Sequence, residues 1–253
     1  GEQQEAAASL AAAIGKGFDP TVLDGVTGSG KTEVYFEAIA ECLRQGKQAL
    51  VLLPEIALTE PFLKRFQSRF GCEPVAWHSD LRSSQRRRNW RGIASGEAKV
   101  IVGARSALFL PYADLGLIVV DEAHEPSFKQ EDGVQYHARD VAVMRAKFED
   151  VPVILSSATP AIETRHMVEI GRYREVTLSH RFAGASLPEI PAIDLTLDPP
   201  PRGRWLAPSL AAELEANLEH GEQSLLFLTR RGFAPLTLCR HCGHRFQCPN
   251  CTA

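Results

Sequence analysis

The segment Gly25-Val26-Thr27-Gly28-Ser29-Gly30-Lys31-Thr32 fits the pattern Gly-x4-Gly-Lys-Ser/Thr. Glycines at this spacing let a backbone curl so that successive N–H groups point at phosphate oxygens, and a helix starting at the lysine adds its positive end. Lys31 has the reach for β- and γ-phosphates, and the Thr32 hydroxyl can join a Mg²⁺ shell. Further along, Leu117-Ile118-Val119-Val120 runs straight into Asp121-Glu122-Ala123-His124. An apolar strand there would deliver two carboxylates to its tip, where open α/β sheets bind ligands. Asp121 is suited to Mg²⁺, and Glu122 to polarising an attacking water. Alone, such a pair is an ordinary solvated strand end. Downstream of a phosphate loop, it reads as the second half of a nucleoside-triphosphate site. These two motifs predict hydrolysis without choosing between helicase, transporter, kinase and switch.

A second kind of chemistry sits at the other end. Four of the six cysteines are Cys239, Cys242, Cys248 and Cys251, in two Cys-x-x-Cys pairs. That spacing predicts zinc rather than disulfides. Only residues 243–247 separate the pairs. Either each pair awaits another downstream pair, with no native zinc site formed in this chain, or the four thiols make one adventitious site. Arg82, Arg86, Arg87, Arg88 and Arg91 cluster around Trp90 on a helical pattern. They form either a phosphate-gripping patch or a solvated basic face, and the position ahead of a strand favours the solvated face.

Positioning these groups requires a layered fold. Thr21–Leu23, Ala49–Leu53, Val100–Val102, Leu117–Val120 and Val153–Leu155 are short, continuously apolar runs, as strands covered on both faces read. Helical patterns lie at residues 2–14, 32–44, 57–70, 83–94 and 139–148. The alternation predicts an α/β fold with a mostly parallel sheet and helices on both faces. Residues 1–178 form this domain. Residues 179–207, with Pro199-Pro200-Pro201, read as a linker, and 208–253 as the start of a second domain with a helix near Pro208–Glu219 and a strand at Ser224–Leu228.

Composition narrows the classes. The chain has 253 residues, 44% hydrophobic and 23% charged, with a net charge of −3. This excludes a uniformly basic nucleic-acid binder, so any DNA contact must be local. No apolar run reaches the roughly 18 residues of a membrane helix, and the alanine-rich start has no secretory pattern. No membrane partner is expected, and the cysteine usage points to the cytoplasm.

Asp121-Glu122-Ala123-His124 resembles the DEAH box of superfamily 2 helicases, and Ser157-Ala158-Thr159 looks like their third motif. Longer blocks are similar to the primosomal protein N′ family of replication-restart DNA helicases: DGVTGSGKTEVY, LLPEIALT, GARSALFLP, DEAHEPSFKQEDGVQYHARD, SSATPAIET and FLTRRGFAPLTLCRHCGHRFQCPNC. The resemblance implies a pair of RecA-like P-loop NTPase lobes, with two zinc ions held in an insertion of the second. It implies ATP with Mg²⁺, 3′–5′ movement on single-stranded and forked DNA, and primosome and single-strand-binding proteins as partners in the bacterial nucleoid. His124 becomes the partner of the Ser157 and Thr159 hydroxyls, which couple phosphate state to lobe movement. Gln3 becomes an adenine contact, though a solvent-facing helix Gln is an equal alternative. Arg105, Ser106, Glu55 and Thr59 become contacts to single-stranded DNA. Phe128, Lys129 and Tyr136 lie in a segment similar to the family's aromatic-rich loop, where they either report DNA occupancy or anchor the loop to the core. Many relatives have Trp where Val134 stands. No arginine-finger motif follows residue 229, so nucleotide binding with little hydrolysis or unwinding is expected of this chain. The rival readings are a RecG-like or restriction-type translocase, and a non-hydrolysing ATP-binding interaction module.

Overall fold

A computed structural model describes residues 1–54, 60–181, 189–201, 203–227, 237–238 and 245–246. Two compact units divide the chain, Gly1–Ser186 and Leu187–Ala253.

The first unit is built on seven parallel strands. They are β1 (Pro20–Gly25), β2 (Gln48–Leu52), β3 (Val75–Trp77), β4 (Val100–Gly103), β5 (Leu115–Val120), β8 (Val153–Ser157) and β9 (Arg174–Leu178). Their order across the sheet is β3-β4-β2-β5-β8-β1-β9. A two-residue ladder, β6 (Lys129–Gln130) with β7 (Tyr136–His137), stands apart from it. The five inner strands are those announced by continuous apolar runs: β2, β4, β5 and β8 are buried at every position. The two edge strands were not legible. β3 is three half-buried residues, and β9 alternates in burial with Glu175 and Thr177 on its exposed face.

Helices cover both faces, as the alternation of strand and helix requires. One face holds α1 (Glu2–Ala11), α2 (Lys31–Arg44) and α3 (Glu60–Phe70) over Leu23, Val51, Val102, Val119 and Ile154. The other holds α4 (Ser83–Ala94) and α5 (Ala138–Glu149) over Leu50, Ile101, Ile118 and Leu155. Phe36 of α2 centres the first layer, with the rings of Tyr35, Phe62, Phe66 and Phe70 at 5.4, 5.9, 5.7 and 5.4 Å. On the opposite layer, the buried Gln48 side chain donates to the Ile93 and Ala98 carbonyls and accepts from the Ala113 and Asp114 amides. A buried amide with every partner supplied ties the end of α4 and two loops to the sheet.

α1 is shorter than the alanine-rich run suggested, ending at Ala11 ahead of the left-handed Gly15. A further helix, α6 (Ile162–Glu169), escaped the sequence reading because Thr164 is its one buried residue. In the second unit α7 (Pro208–Glu219) forms as expected. The strand expected at Ser224–Leu228 does not form over residues 224–227. Leu225 and Phe227 are largely exposed there, and an apolar run without a ladder partner cannot be a strand. β10 (Thr237–Leu238) and β11 (Arg245–Phe246) pair antiparallel. Among the described residues no helix is long and apolar enough to cross a membrane.

Burial also separates two thiols. Cys42 is fully buried, bonded to the Gln48 carbonyl at 3.4 Å, and loss of solvent pushes its thiol up to about 12. Cys72 is exposed. Only the thiolate alkylates, so near pH 8 about one Cys42 in 10⁴ is reactive before any block on access. Peptide-resolved iodoacetamide labelling of the native chain should modify Cys72 and spare Cys42 until denaturant is added. Equal labelling of the two would contradict this burial.

Candidate functional site

The phosphate-loop motif connects β1 to α2. Gly30 caps α2 with φ +85°, and Gly28 has φ +82°, both left-handed values that side-chain-bearing residues rarely adopt. Lys31 is buried at the first helical position, its ammonium donating to the Gly25 carbonyl at 2.6 Å. Gln3 of α1 reaches across, its Nε2 donating to the Ser29 carbonyl at 2.7 Å. Gln3 is therefore no solvent-facing helix residue; it holds the loop's outer wall. Thr27 lies in the exposed part of the loop, and Thr32 lies in the first turn of α2.

The loop's floor is a fit test for phosphate. The Ser29 hydroxyl is fully buried with no hydrogen-bond partner, which buried hydroxyls rarely tolerate. A Cβ on Gly25 would come within 2.6 Å of that oxygen and 3.0 Å of Leu178 Cβ. Gly25→Ala should therefore cost about 1–3 kcal/mol through overpacking. It should also weaken ATP binding at least several-fold, because the cradle cannot close. Thermal melting and titration of a fluorescent ATP analogue would check both. Unchanged binding would mean that this floor does not meet phosphate.

The second motif leaves β5, two strands away from β1 in the sheet. Asp121 is held from three sides. Its Oδ2 accepts from the Tyr35 hydroxyl at 3.0 Å, and its Oδ1 accepts from the Ser156 hydroxyl at 2.8 Å and the Glu122 amide at 3.1 Å. Burial, with the Asp121 charge second, pushes the Tyr35 phenol well above its ordinary range, so it remains a neutral donor. Glu122 has φ +47°, a left-handed conformation that costs energy in a residue with a side chain and persists where the surroundings hold it. Its carboxyl is raised above the ordinary Glu value, by partial burial first and by Asp121 second, with Lys31 and His124 opposing. His124 Nδ1 lies 2.8 Å from Ser157 Oγ and 3.6 Å from Glu122 Oε2, and Ser157 Oγ accepts from the Thr159 amide at 3.0 Å. One continuous network thus joins the Asp-Glu-Ala-His strand end to Ser157 and Thr159 on β8 and its exit.

Arg105 and Ser106 begin a 3-10 helix at the tip of β4. They line a cavity of about 490 Å³ with Tyr136, Trp77, Trp90 and Phe109. Arg105 donates to the Lys129 carbonyl at 2.7 Å, while the Lys129 ammonium is exposed and pairs with Glu131. Phe128 is buried in the core, which is the anchoring alternative, and it offers no face to a base. Val134 is exposed. All five arginines of the cluster are exposed, as the solvated-face reading expects, and Arg86 also lies over Trp77 at 5.7 Å from its ring centroid. Glu55 and Thr59 lie outside the described residues, as do Cys239, Cys242, Cys248 and Cys251.

Tyr35, Ser156, Trp77 and Phe109 were not legible as site residues, and Trp90 was legible only as a member of the arginine cluster. Tyr35 carried a signal, standing one helical turn after Lys31 on the same face. Ser156 did not, because strand-end serines are common.

Comparison with known proteins follows the same lines. The sequence profile of the DEAD/DEAH box helicase family matches residues 2–168. The replication restart protein PriA of Rickettsia felis is 47% identical over 252 residues, all of this chain and 38% of that protein. PriA of Haemophilus influenzae is 43% identical over 98% of this chain and 34% of its own length. The chain thus spans little more than a third of these relatives. In three dimensions, RecG bound to a three-way DNA junction superposes on 73% of this chain with a TM-score of 0.55 at 20% identity, covering 24% of the RecG chain. That likeness concerns the fold, a RecA-like lobe. The profile match extends over most of the sequence, and the chain belongs to the DEAD/DEAH box helicase family.

Proposed function

We propose that this chain binds ATP with Mg²⁺ and couples its hydrolysis to 3′–5′ movement along single-stranded DNA, as part of a replication-restart helicase acting at forks. The observation that carries the reading is the joint environment of Glu122, which senses both the Lys31 ammonium and the Asp121 carboxylate while touching the His124–Ser157 pair. The residues fit a triphosphate and a hard cation: an unpartnered Ser29 hydroxyl, a glycine-walled cradle, the Thr32 hydroxyl and the Asp121 carboxylate. When bound, Mg²⁺ would supply positive charge against the negative charge developing on the phosphate oxygens.

The chain's own groups divide the work. Lys31 leaves its loop carbonyls for phosphate oxygens, and the left-handed Gly28 and Gly30 aim backbone N–H groups at them. Tyr35 and Ser156 hold Asp121 in one orientation, ready to receive the cation. Glu122, whose raised carboxyl is a stronger base than an ordinary Glu, takes the proton of the attacking water. His124 passes the state of that carboxylate to Ser157 and Thr159. Gln3 steadies the phosphate loop from outside and is assigned the adenine contact.

Arg105, Ser106, Lys129, Tyr136 and the turn holding Glu55 and Thr59 are assigned to the DNA side. Phe128 serves instead as the anchor of their loop. Residues 1–178 are the nucleotide-binding lobe, 179–207 a linker and 208–253 the start of a second lobe. Cys239, Cys242, Cys248 and Cys251 are assigned to zinc by spacing. Forked DNA, primosome proteins and single-strand-binding proteins are the proposed partners, in the bacterial cytoplasm at the nucleoid.

The similarity to PriA over nearly the whole chain favours this over a RecG-like translocase, whose similarity is confined to fold. The test is ATP turnover with and without single-stranded and forked DNA, measured on a full-length protein that carries this chain. Turnover stimulated by DNA supports the motor. Turnover indifferent to DNA would overturn the motor, and ATP binding with no turnover at all would favour the non-hydrolysing module.

A further inference from the structure

We propose that the cavity at the tips of β3 and β4 is a stacking pocket for one unpaired nucleotide, with Trp90 and Phe109 gripping the base and Arg86 and Arg105 its phosphate. This deepens the single-strand reading above and rests on it, naming the groups by which the strand would be held.

Four aromatic rings reach this cavity from four separate elements. Trp77 ends β3, Trp90 lies on α4, Phe109 closes the 3-10 helix after β4, and Tyr136 begins β7. The cavity volume of about 490 Å³ falls within the usual range for small-ligand pockets. Trp90 is 48% exposed and Phe109 62% exposed. One exposed aromatic is ordinary on any surface, but two facing the same hollow are not. Trp77 and Tyr136 are only half-buried and form its floor and brace. Arg86 covers the Trp77 ring, and Tyr136 meets Phe109 edge to face at 5.5 Å. Trp90 and Phe109, the two exposed rings of the four, are the ones open to a ligand.

Charge selects the ligand class. Arg86 is pinned by the His78 and Ser79 carbonyls through one nitrogen, and Arg105 by the Lys129 carbonyl through one nitrogen. A guanidinium has five N–H donors, so both keep donors beyond these bonds. Among the described residues no carboxylate lines the cavity. Cationic groups with aromatic faces and no acid suit a planar anion, and base–aromatic stacking beside arginine is how single strands are gripped without sequence preference. The pocket is also separate from the triphosphate site. It lies at the β3–β4 end of the sheet, whereas the phosphate loop follows β1, with β2, β5 and β8 between. Both lie on the carboxyl side of the strands, where ligands of parallel sheets bind.

The test uses a labelled oligothymidylate and an abasic strand of equal length, binding measured by fluorescence anisotropy. Trp90→Ala and Phe109→Ala should each weaken oligothymidylate binding about 5- to 100-fold. Trp90→Phe should recover most of the loss, and the abasic strand should bind wild type and variants alike. Oligothymidylate should quench tryptophan emission in the wild type and lose that quenching in Trp90→Ala. Wild-type affinity in both alanine variants would overturn the pocket while leaving the single-strand reading intact. Failure of the wild-type chain to bind any strand would overturn that reading as well. Saturation by an acidic aromatic peptide in place of the strand would overturn the pocket in favour of a protein partner. If Trp90→Ala lowers the melting temperature, the more exposed Phe109→Ala decides.

Discussion

Replacing Glu122 with Gln should leave Mg²⁺–ATP binding unchanged or tighter and slow hydrolysis by about 10²–10⁴-fold, the usual contribution of a positioned general base. That is about 3–5 kcal/mol of barrier. The amide keeps the size and the left-handed backbone of Glu122 but cannot accept the water's proton. Single-turnover hydrolysis with excess protein would read the change. A loss smaller than about three-fold would remove Glu122 from the role of base.

A second readout of the same variant has a fixed sign. Burial and Asp121 raise the Glu122 carboxyl above its ordinary value. Between those two values the folded chain binds more protons than the unfolded chain, so stability falls as pH rises. At neutral pH, the ionised Glu122 therefore works against folding. Without divalent metal, Glu122→Gln should melt at a higher temperature than wild type near pH 7, and the gap should shrink as pH falls toward the ordinary carboxylate range. A gap that widened on acidification would reverse the electrostatic account.

Phe36→Ala should be among the most destabilising single changes in the first unit. Phe36 is fully buried and meets four other rings, so truncation loses transfer free energy and leaves a cavity among rings that cannot all collapse inward. The expected cost is about 3–5 kcal/mol, against a total stability of about 5–15 kcal/mol. A melting-temperature fall of about 6–20 °C follows for a domain of this size. Function should suffer with it, because α2 carries Lys31 and Thr32 at its start and Tyr35 beside Phe36. Circular-dichroism melts and nucleotide titration on the same samples would show both effects. A fall of under 2 °C would mean that this cluster does not pin α2.

Much of the site was legible because its chemistry is local. A phosphate loop needs a contiguous glycine pattern between a strand and a helix, and Gly25–Thr32 has it. The Asp-Glu-Ala-His strand end is equally contiguous. The inner strands were legible because both their faces are covered, which favours apolar runs, interrupted where a polar side chain such as Gln48 or Ser156 has its partners. β3, β9 and α6 were not, because elements covered on one side leave a weak or alternating pattern that loops imitate. The helix at residues 2–14 was read too long for a related reason: alanine favours helix everywhere and marks no end.

What the sequence determined by itself, then, was composition of motif: which residues could hold phosphate, which could take a proton, and that a parallel sheet must carry them. Tertiary structure decided everything that depends on distance between remote segments. It placed Tyr35 and Ser156 on Asp121, turned Gln3 onto the phosphate loop, joined His124 to Ser157 and buried Phe128 as an anchor. It also gathered Trp77, Trp90 and Phe109 around Arg86 and Arg105. None of these follows from spacing along the chain, because contacts between strands and helices far apart in sequence are fixed by how the layers pack, and a hydrogen bond or a stacking face exists only once that packing has set the geometry.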